Sequence, residues 1–203
     1  MSLSFHFYPT LLNEYQRYTL SESQEAFDRL FKRINRIPEK DPEVLKRFAS
    51  GISFEEAVLK GSASSFPEKL IAEAQMLLPK KRKTQQLVRF TESPISFYGY
   101  ADVVGGAQVI DLKWTRKYEE GRFKDSFQNL YLYALKDFGF ETMKYIVCDG
   151  NRIHQEEYRL GEYDFAPLLI KMKSFADFLL AHRQMIRDKK IIQERDWGLF
   201  ENF

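Results

Sequence analysis

The order of hydrophobic patterns along the chain predicts a mixed α/β (α+β) fold: a mixed central sheet flanked by helices, with an N-terminal helical layer. Three observations carry this reading. Apolar positions recur at three and four through the first 80 residues. Residues 84–114 are dense in Val, Ile, Phe and Tyr around a Gly105-Gly106 pair. Beyond them a helical stretch, two strand-like runs and a long helical stretch follow in turn. At 203 residues, with no dividing linker or internal repeat, the chain is expected to form one domain over 1–203, with a helical layer (1–80), a sheet and helix (84–160) and a last helix (165–190).

The first helix is expected over Tyr8 to Tyr18. Ser21 with Gln24 has capping-box spacing and predicts a second helix through about Ile34, with Phe27, Leu30, Phe31 and Ile34 on one face. Asp41-Pro42 starts another. Ser53 with Glu56, and Ser65 with Glu68, repeat the signature and predict short helices over Phe54 to Lys60 and Phe66 to Leu78. After the strand cluster, a helix is expected over Lys124 to Asp137. Strands Met143 to Cys148 and Ile153 to Leu160 are joined by Asp149, Gly150 and Asn151, and a long helix runs from Phe165 to about Lys190.

If Gly105 and Gly106 are the two loop residues of a hairpin, Val104 faces Ala107 and the register follows by counting outward. Tyr98, Tyr100, Asp102, Val109, Asp111 and Lys113 then share one face. Gly99, Ala101, Val103, Gln108, Ile110 and Leu112 share the other, which is the natural core side. In this register Asp102 and Asp111 are diagonal neighbours about 7 to 8 Å apart, within reach of one ion, with Lys113 beside them. Two carboxylates about 4 Å apart repel by roughly 4 kcal/mol at an effective dielectric of about 20, a penalty that a divalent cation removes. Oxygen ligands suit Mg²⁺ or Mn²⁺, which promote attack of water on a phosphodiester. Lys113 can position or deprotonate that water, or neutralise phosphate charge. The plain alternative is an ion-pair cluster on a solvated strand. Asp188 and Lys190 repeat the Asp-x-Lys spacing in what reads as an ordinary exposed helix.

Composition narrows the chemistry further. One cysteine, Cys148, rules out disulfide frameworks, Cys-rich zinc sites and Cys-ligated iron-sulfur clusters within the chain, and points to a reducing cytoplasm. Cys148 itself reads as inert core. His6, His154 and His182 lack metal-ligand spacing. Thirty-one basic against 29 acidic residues leave +2, so any nucleic-acid surface has to be local. The run Lys80, Lys81, Arg82 and Lys83 is such a concentration; it reads first as a solvated loop and second as a track for a phosphate backbone. No run is long and apolar enough to suggest a membrane span.

At these residues the chain resembles the PD-(D/E)xK nuclease superfamily, especially its RecB-like and phage exonuclease branch. The match runs Gly99-Tyr-Ala-Asp102, Val109-Ile-Asp111-Leu-Lys113, then Gln128 with Tyr131. The resemblance implies a restriction-endonuclease-like sheet and a DNA exonuclease that uses Mg²⁺ or Mn²⁺. It also implies that Asp102, Asp111 and the Leu112 carbonyl hold the metal, that Lys113 acts on the attacking water, and that a protein partner in recombination or repair exists. Gly51-Ile-Ser-Phe-Glu55 resembles the family's earlier helix motif and makes Glu55 a further metal ligand. Tyr8-Pro-Thr-Leu-Leu-Asn-Glu-Tyr15 is a looser echo of its opening helix. The chain departs from the family in placing Tyr131 three residues after Gln128, where the usual spacing of four falls on Leu132. Three apart still shares a helix face. The expected rivals are a non-catalytic nucleic-acid-binding or assembly subunit that keeps the fold, and a regulatory protein-interaction domain that binds neither metal nor DNA.

Overall fold

The computed structural model describes residues 2–195; residue 1 and residues 196–203 of the expected domain span lie outside the described residues. The strands are β1 (Ser2–Phe7), β2 (Lys83–Glu92), β3 (Ile95–Gly105), β4 (Gln108–Trp114), β5 (Thr142–Cys148), β6 (Ile153–Arg159) and β7 (Ile192–Arg195). The helices are α1 (Pro9–Ser21), α2 (Gln24–Ile34), α3 (Pro42–Lys60), α4 (Glu68–Met76), α5 (Leu130–Leu135) and α6 (Ala166–Ala181). The result is a mixed α/β fold with N-terminal helices and a mixed sheet. Among the described residues no helix is long and apolar enough to cross a membrane.

The described residues divide into two compact units, one of residues 2–38, 89–99 and 165–195, the other of residues 39–88 and 100–164. In the first, β1 pairs parallel with the start of β3 (Phe5↔Ile95 to Phe7↔Phe97) and antiparallel with β7. Phe7, Tyr15 and Phe175 form its aromatic centre, with ring centroids 4.9 Å and 4.6 Å apart. Strands β1 and β7 are additions to the sequence reading. The expected helix to Lys190 ends at Ala181 because side chains satisfy the following backbone in non-helical form. Asn35 accepts the Arg187 N–H at 2.6 Å and donates to Met185 O at 3.1 Å, and Asp188 accepts the Lys190 N–H at 2.9 Å. Asp188 and Lys190 therefore lie in a loop, and Asp188 is paired with Arg36.

In the second unit β3, β4, β5 and β6 lie side by side, β4 and β5 parallel and the other pairs antiparallel. Helices α3 and α4 and the turn after α4 cover one face, packing Phe54, Val58, Leu70, Ala74 and Leu78 on Val103, Ile110, Leu112, Ile146 and Cys148. This is the face expected to be core, and Cys148 is a buried free thiol within it. The opposite face is buried as well, with Val109, Met143 and Tyr145 fully enclosed. Parallel β4 and β5 need a crossover connection, and α5 lies in it.

Several helix starts differ from expectation. Ser23, not Ser21, caps α2, accepting the Ala26 N–H at 3.2 Å, and Ser21 is the last residue of α1. Asp41 caps α3 through Glu43 N (2.8 Å) as expected, but Ser53 opens nothing: Phe54 to Lys60 is the second half of this one 19-residue helix and carries its buried residues. Pro67, without a side-chain bond, stands at the N-cap of α4, so Ser65 plays no capping part. The expected Lys124 to Asp137 helix is shorter, a 3₁₀ turn at Phe127–Asn129 leading into α5 and a second at Lys136–Phe138 leading out.

The hairpin register is two residues away from the expected one. Gly105 pairs with Gln108, Val104 with Val109 and Val103 with Ile110, so the loop residues are Gly106 and Ala107. Both are left-handed (φ 56° and 60°), as a type I′ turn requires. Gly105 is needed for room instead, since a Cβ there would lie 2.3 Å from Lys81 O and 3.0 Å from Arg82 Cα. Two substitutions by one methyl group thus have opposite expected signs. Ala107→Gly relieves left-handed strain and should stabilise by about 0.5–1 kcal/mol. Gly105→Ala should destabilise by about 2 kcal/mol or more. Denaturant unfolding of the two variants checks both, and equal shifts would contradict the turn assignment.

Candidate metal centre

A slip of two residues leaves the face of every side chain unchanged, because strand side chains alternate with period two. Asp102, Asp111 and Lys113 remain on one face. Counting outward from the observed pairs brings Asp102 level with Asp111 rather than diagonal to it. Beyond Val103 and Ile110 the Leu112 N–H is taken by Asp102 Oδ2 at 2.8 Å. Strand β4 meanwhile stays paired to β5 as far as Trp114. A buried side chain thus replaces a sheet bond where the two acidic strands meet.

Lys113 is ion-paired with Asp111, whose side chain is only 4% exposed, while Lys113 keeps 29% of its own surface in solvent. The exposed part of the lysine is side chain, while its ammonium is turned in to Asp111 and buried with it. Glu55, on α3, reaches it through Gln85, whose Nε2 donates to Glu55 Oε1 at 2.7 Å and makes a longer 3.4 Å contact with Asp102 Oδ1. Tyr131, on α5, is hydrogen-bonded to the Tyr100 backbone, and Asp111 and Asp102 add to the burial that raises its pKa. Gln128 sits on the 3₁₀ turn, its carboxamide oxygen accepting from Ser126 Oγ at 2.6 Å. Leu112 places its side chain in the α3/α4 core and its backbone between the two charged neighbours.

Burial and then the nearby Asp111 push the Asp102 carboxyl up to about 8, against the pull of Lys113 and the Leu112 N–H. Burial, with Asp111 next, also raises Glu55. For Lys113 burial acts downward, but Asp111, Asp102 and Glu55 outweigh it and hold the ammonium above its ordinary range. As it stands, Lys113 is a cation and a hydrogen-bond donor.

These donors match Mg²⁺ or Mn²⁺ in kind: hard carboxylate oxygens and a backbone carbonyl, close to negative charge that burial makes costly. In position they are not yet a cage. Among the described residues no three His, Cys, Asp or Glu side chains stand together as a ready metal site. The Gln85 amide stands between Glu55 and Asp102, and Lys113 holds Asp111.

Two residues of this region escaped the sequence reading. Gln85 has a left-handed φ of 51° in a strand, unusual for a residue with a side chain, and spans the two acids. Asn129 is fully buried. Its Nδ2, with two N–H groups, lies within hydrogen-bond reach of Phe123 O (3.0 Å), Lys124 O (2.9 Å) and Tyr163 Oη (3.0 Å), and its Oδ1 accepts from Tyr145 Oη (2.7 Å). Tyr145 pairs with Asp111 across β4 and β5, so this network braces the strand behind the aspartate. An Asn directly after the Gln128 position was the available signal.

No family model matches the chain, and no curated protein does. Among solved structures it is similar to the crystal structure of SSO0001, with 16% identity and a TM-score of 0.47 over 93% of this chain and 81% of that one. It is also similar to Rai1 of Scheffersomyces stipitis, with 14% identity and a TM-score of 0.34 over 89% of this chain and 62% of that one. At these scores the likeness carries no chemistry, which rests on the side chains above.

Proposed function

We propose that this chain is a metal-dependent deoxyribonuclease, an exonuclease in the sense of the resemblance above, that hydrolyses phosphodiester bonds beside Asp102 and Asp111. The observation that carries the reading is the pair of buried carboxylates on adjoining strands, with the Lys113 ammonium held against them. Asp102, Asp111 and the Leu112 carbonyl would hold Mg²⁺ or Mn²⁺, and Glu55 would join them once the Gln85 amide turns aside. When bound, the ion supplies Lewis-acid stabilisation of the charge that grows on the phosphoryl oxygens. The Leu112 N–H fixes one Asp102 oxygen, so the carboxylate is oriented before substrate arrives. Lys113, released from Asp111, donates to the attacking water or to a phosphate oxygen. Tyr131 and Gln128 would position α5 and the strand contacts around the scissile group.

A second reading has its own observation. Lys113 already neutralises Asp111, so the cluster is electrostatically closed without an ion, as in a non-catalytic nucleic-acid-binding or assembly subunit of the same fold. Incubation with linear and covalently closed circular DNA, with Mg²⁺ or Mn²⁺ and with chelator, separates the two. Chelator-sensitive loss of linear DNA, with circles spared, is the expected result. Absence of Mn²⁺ binding in calorimetric titration and of any cleavage, by a protein that still binds DNA, would transfer the chain to the second reading.

A further inference from the structure

We propose that Lys80, Lys81, Arg82 and Lys83 form a phosphate-backbone rail that leads a nucleic-acid strand to the Asp102/Asp111 centre. The proposal rests on the phosphodiesterase reading and deepens it by naming where the substrate's backbone runs. All four residues are exposed. Among the described residues none of the four side chains is held by a carboxylate; Arg82 donates to Pro79 O at 3.0 Å. Four adjacent cations without counter-charges repel one another, and a polyanion is the partner that relieves this. The near-neutral sum over the chain makes the concentration local rather than general.

Placement supplies the second argument. The backbone of the run is packed against the turn of the acidic hairpin, so closely that Gly105 has no space for a Cβ beside Lys81 O. From Gly105 to Asp102 is three residues of strand, about 10 Å. The same run continues into β2, where Gln85, two residues after Lys83 and about 7 Å along, contacts Asp102 and Glu55 directly. On one strand of a duplex charges recur about every 3.4 Å of helix axis. The rail therefore meets backbone within a few phosphates of the bond at the centre. Its backbone is held against the hairpin while its side chains are exposed, which suits contacts that carry affinity and no base sequence.

The test uses the triple substitution Lys80→Glu, Lys81→Glu, Lys83→Glu and its neutral counterpart with Gln at the same positions. Binding of a fluorescent oligonucleotide is followed by anisotropy in chelator across a salt series, and hydrolysis of bis(p-nitrophenyl) phosphate is followed with Mn²⁺. The charge-reversed protein is expected to bind DNA at least about 10-fold more weakly. Both variants should lose about 2 from the slope of log affinity on log salt with a single-stranded oligonucleotide, and about 3 with a duplex, the share of three phosphate contacts. Hydrolysis of the small diester should be unchanged, since it needs no rail. Unaltered affinity and slope would overturn the proposal, as would binding by this run to vesicles containing acidic lipid and not to DNA. Rail-dependent DNA binding by a protein that never hydrolyses the small diester would support the rail while overturning the phosphodiesterase reading.

Discussion

Lys113→Met is expected to cost both cleavage and stability, whereas Asp111→Asn costs cleavage alone. The two residues form one ion pair, yet their surroundings differ. Asp111 is 4% exposed and Lys113 29%. Removing the ammonium leaves a carboxylate that water cannot reach, the situation in which breaking a buried pair costs about 3–5 kcal/mol. The expected loss is about 2–4 kcal/mol, because Asp111 can take up a proton in place of its partner, its carboxyl already being lifted by burial against the pull of Lys113. Removing the aspartate's charge leaves an ammonium that still faces Asp102 and Glu55, and stability should change by no more than about 1 kcal/mol. Either substitution should lower metal-dependent cleavage by about 10³-fold or more, the range for losing an essential charge at a phosphoryl-transfer site. Thermal unfolding in chelator, paired with cleavage of linear DNA in Mn²⁺, reads both effects. Wild-type cleavage by either variant removes the catalytic assignment; equal unfolding temperatures for the two remove the asymmetry.

The candidate site was legible in the sequence although its hairpin was not placed correctly, and the reason is geometric. The Gly105-Gly106 pair draws attention as a turn, but Gly105 is required for close packing on Lys81 and the turn lies at Gly106-Ala107. The resulting slip is even, so Asp102, Asp111 and Lys113 kept their common face. A slip of one residue would have scattered them. Gln85 was not legible because glutamine carries no signature for a left-handed position, and its role depends on a helix 30 residues earlier meeting a strand 17 residues later. Asn129 was missed for a related reason: a polar residue beside an apolar helix reads as surface until its four partners converge on it. Strands β1 and β7 are short and lie near the ends of the described chain, where periodicity has too few residues to register. The helix expected through Lys190 had the right composition but lost to Asn35 and Asp188, whose side chains offer its backbone other partners. Local pattern thus kept Asp102, Asp111 and Lys113 on one face, while tertiary hydrogen bonds decided where elements stop.

Asp102→Asn should destroy cleavage and yet stabilise the metal-free protein, with a gain that grows with pH. The Asp102 carboxyl is pushed up to about 8, while an unfolded aspartate titrates near 4. The native state therefore holds a proton that the unfolded chain gives up across this window, so wild-type stability is intact below about pH 4 and falls as pH rises through about 8. Over the full interval the penalty is about 5 kcal/mol if the site is taken alone, and sharing of charge with Asp111 and Lys113 reduces what one substitution recovers to about 2–3 kcal/mol. Asparagine keeps the Leu112 N–H satisfied through its own carbonyl and carries no charge to bury. In chelator at pH 8 the variant should melt about 5–10 °C above wild type, and the two should nearly coincide at pH 4. Mn²⁺ should reverse the order, since binding stabilises only the protein whose carboxylates can take the ion. A variant that melts lower than wild type at pH 8 in chelator would mean that the Asp102 carboxylate is a structural anchor whose charge the fold needs, and the case for a strained, cation-seeking pair would go with it.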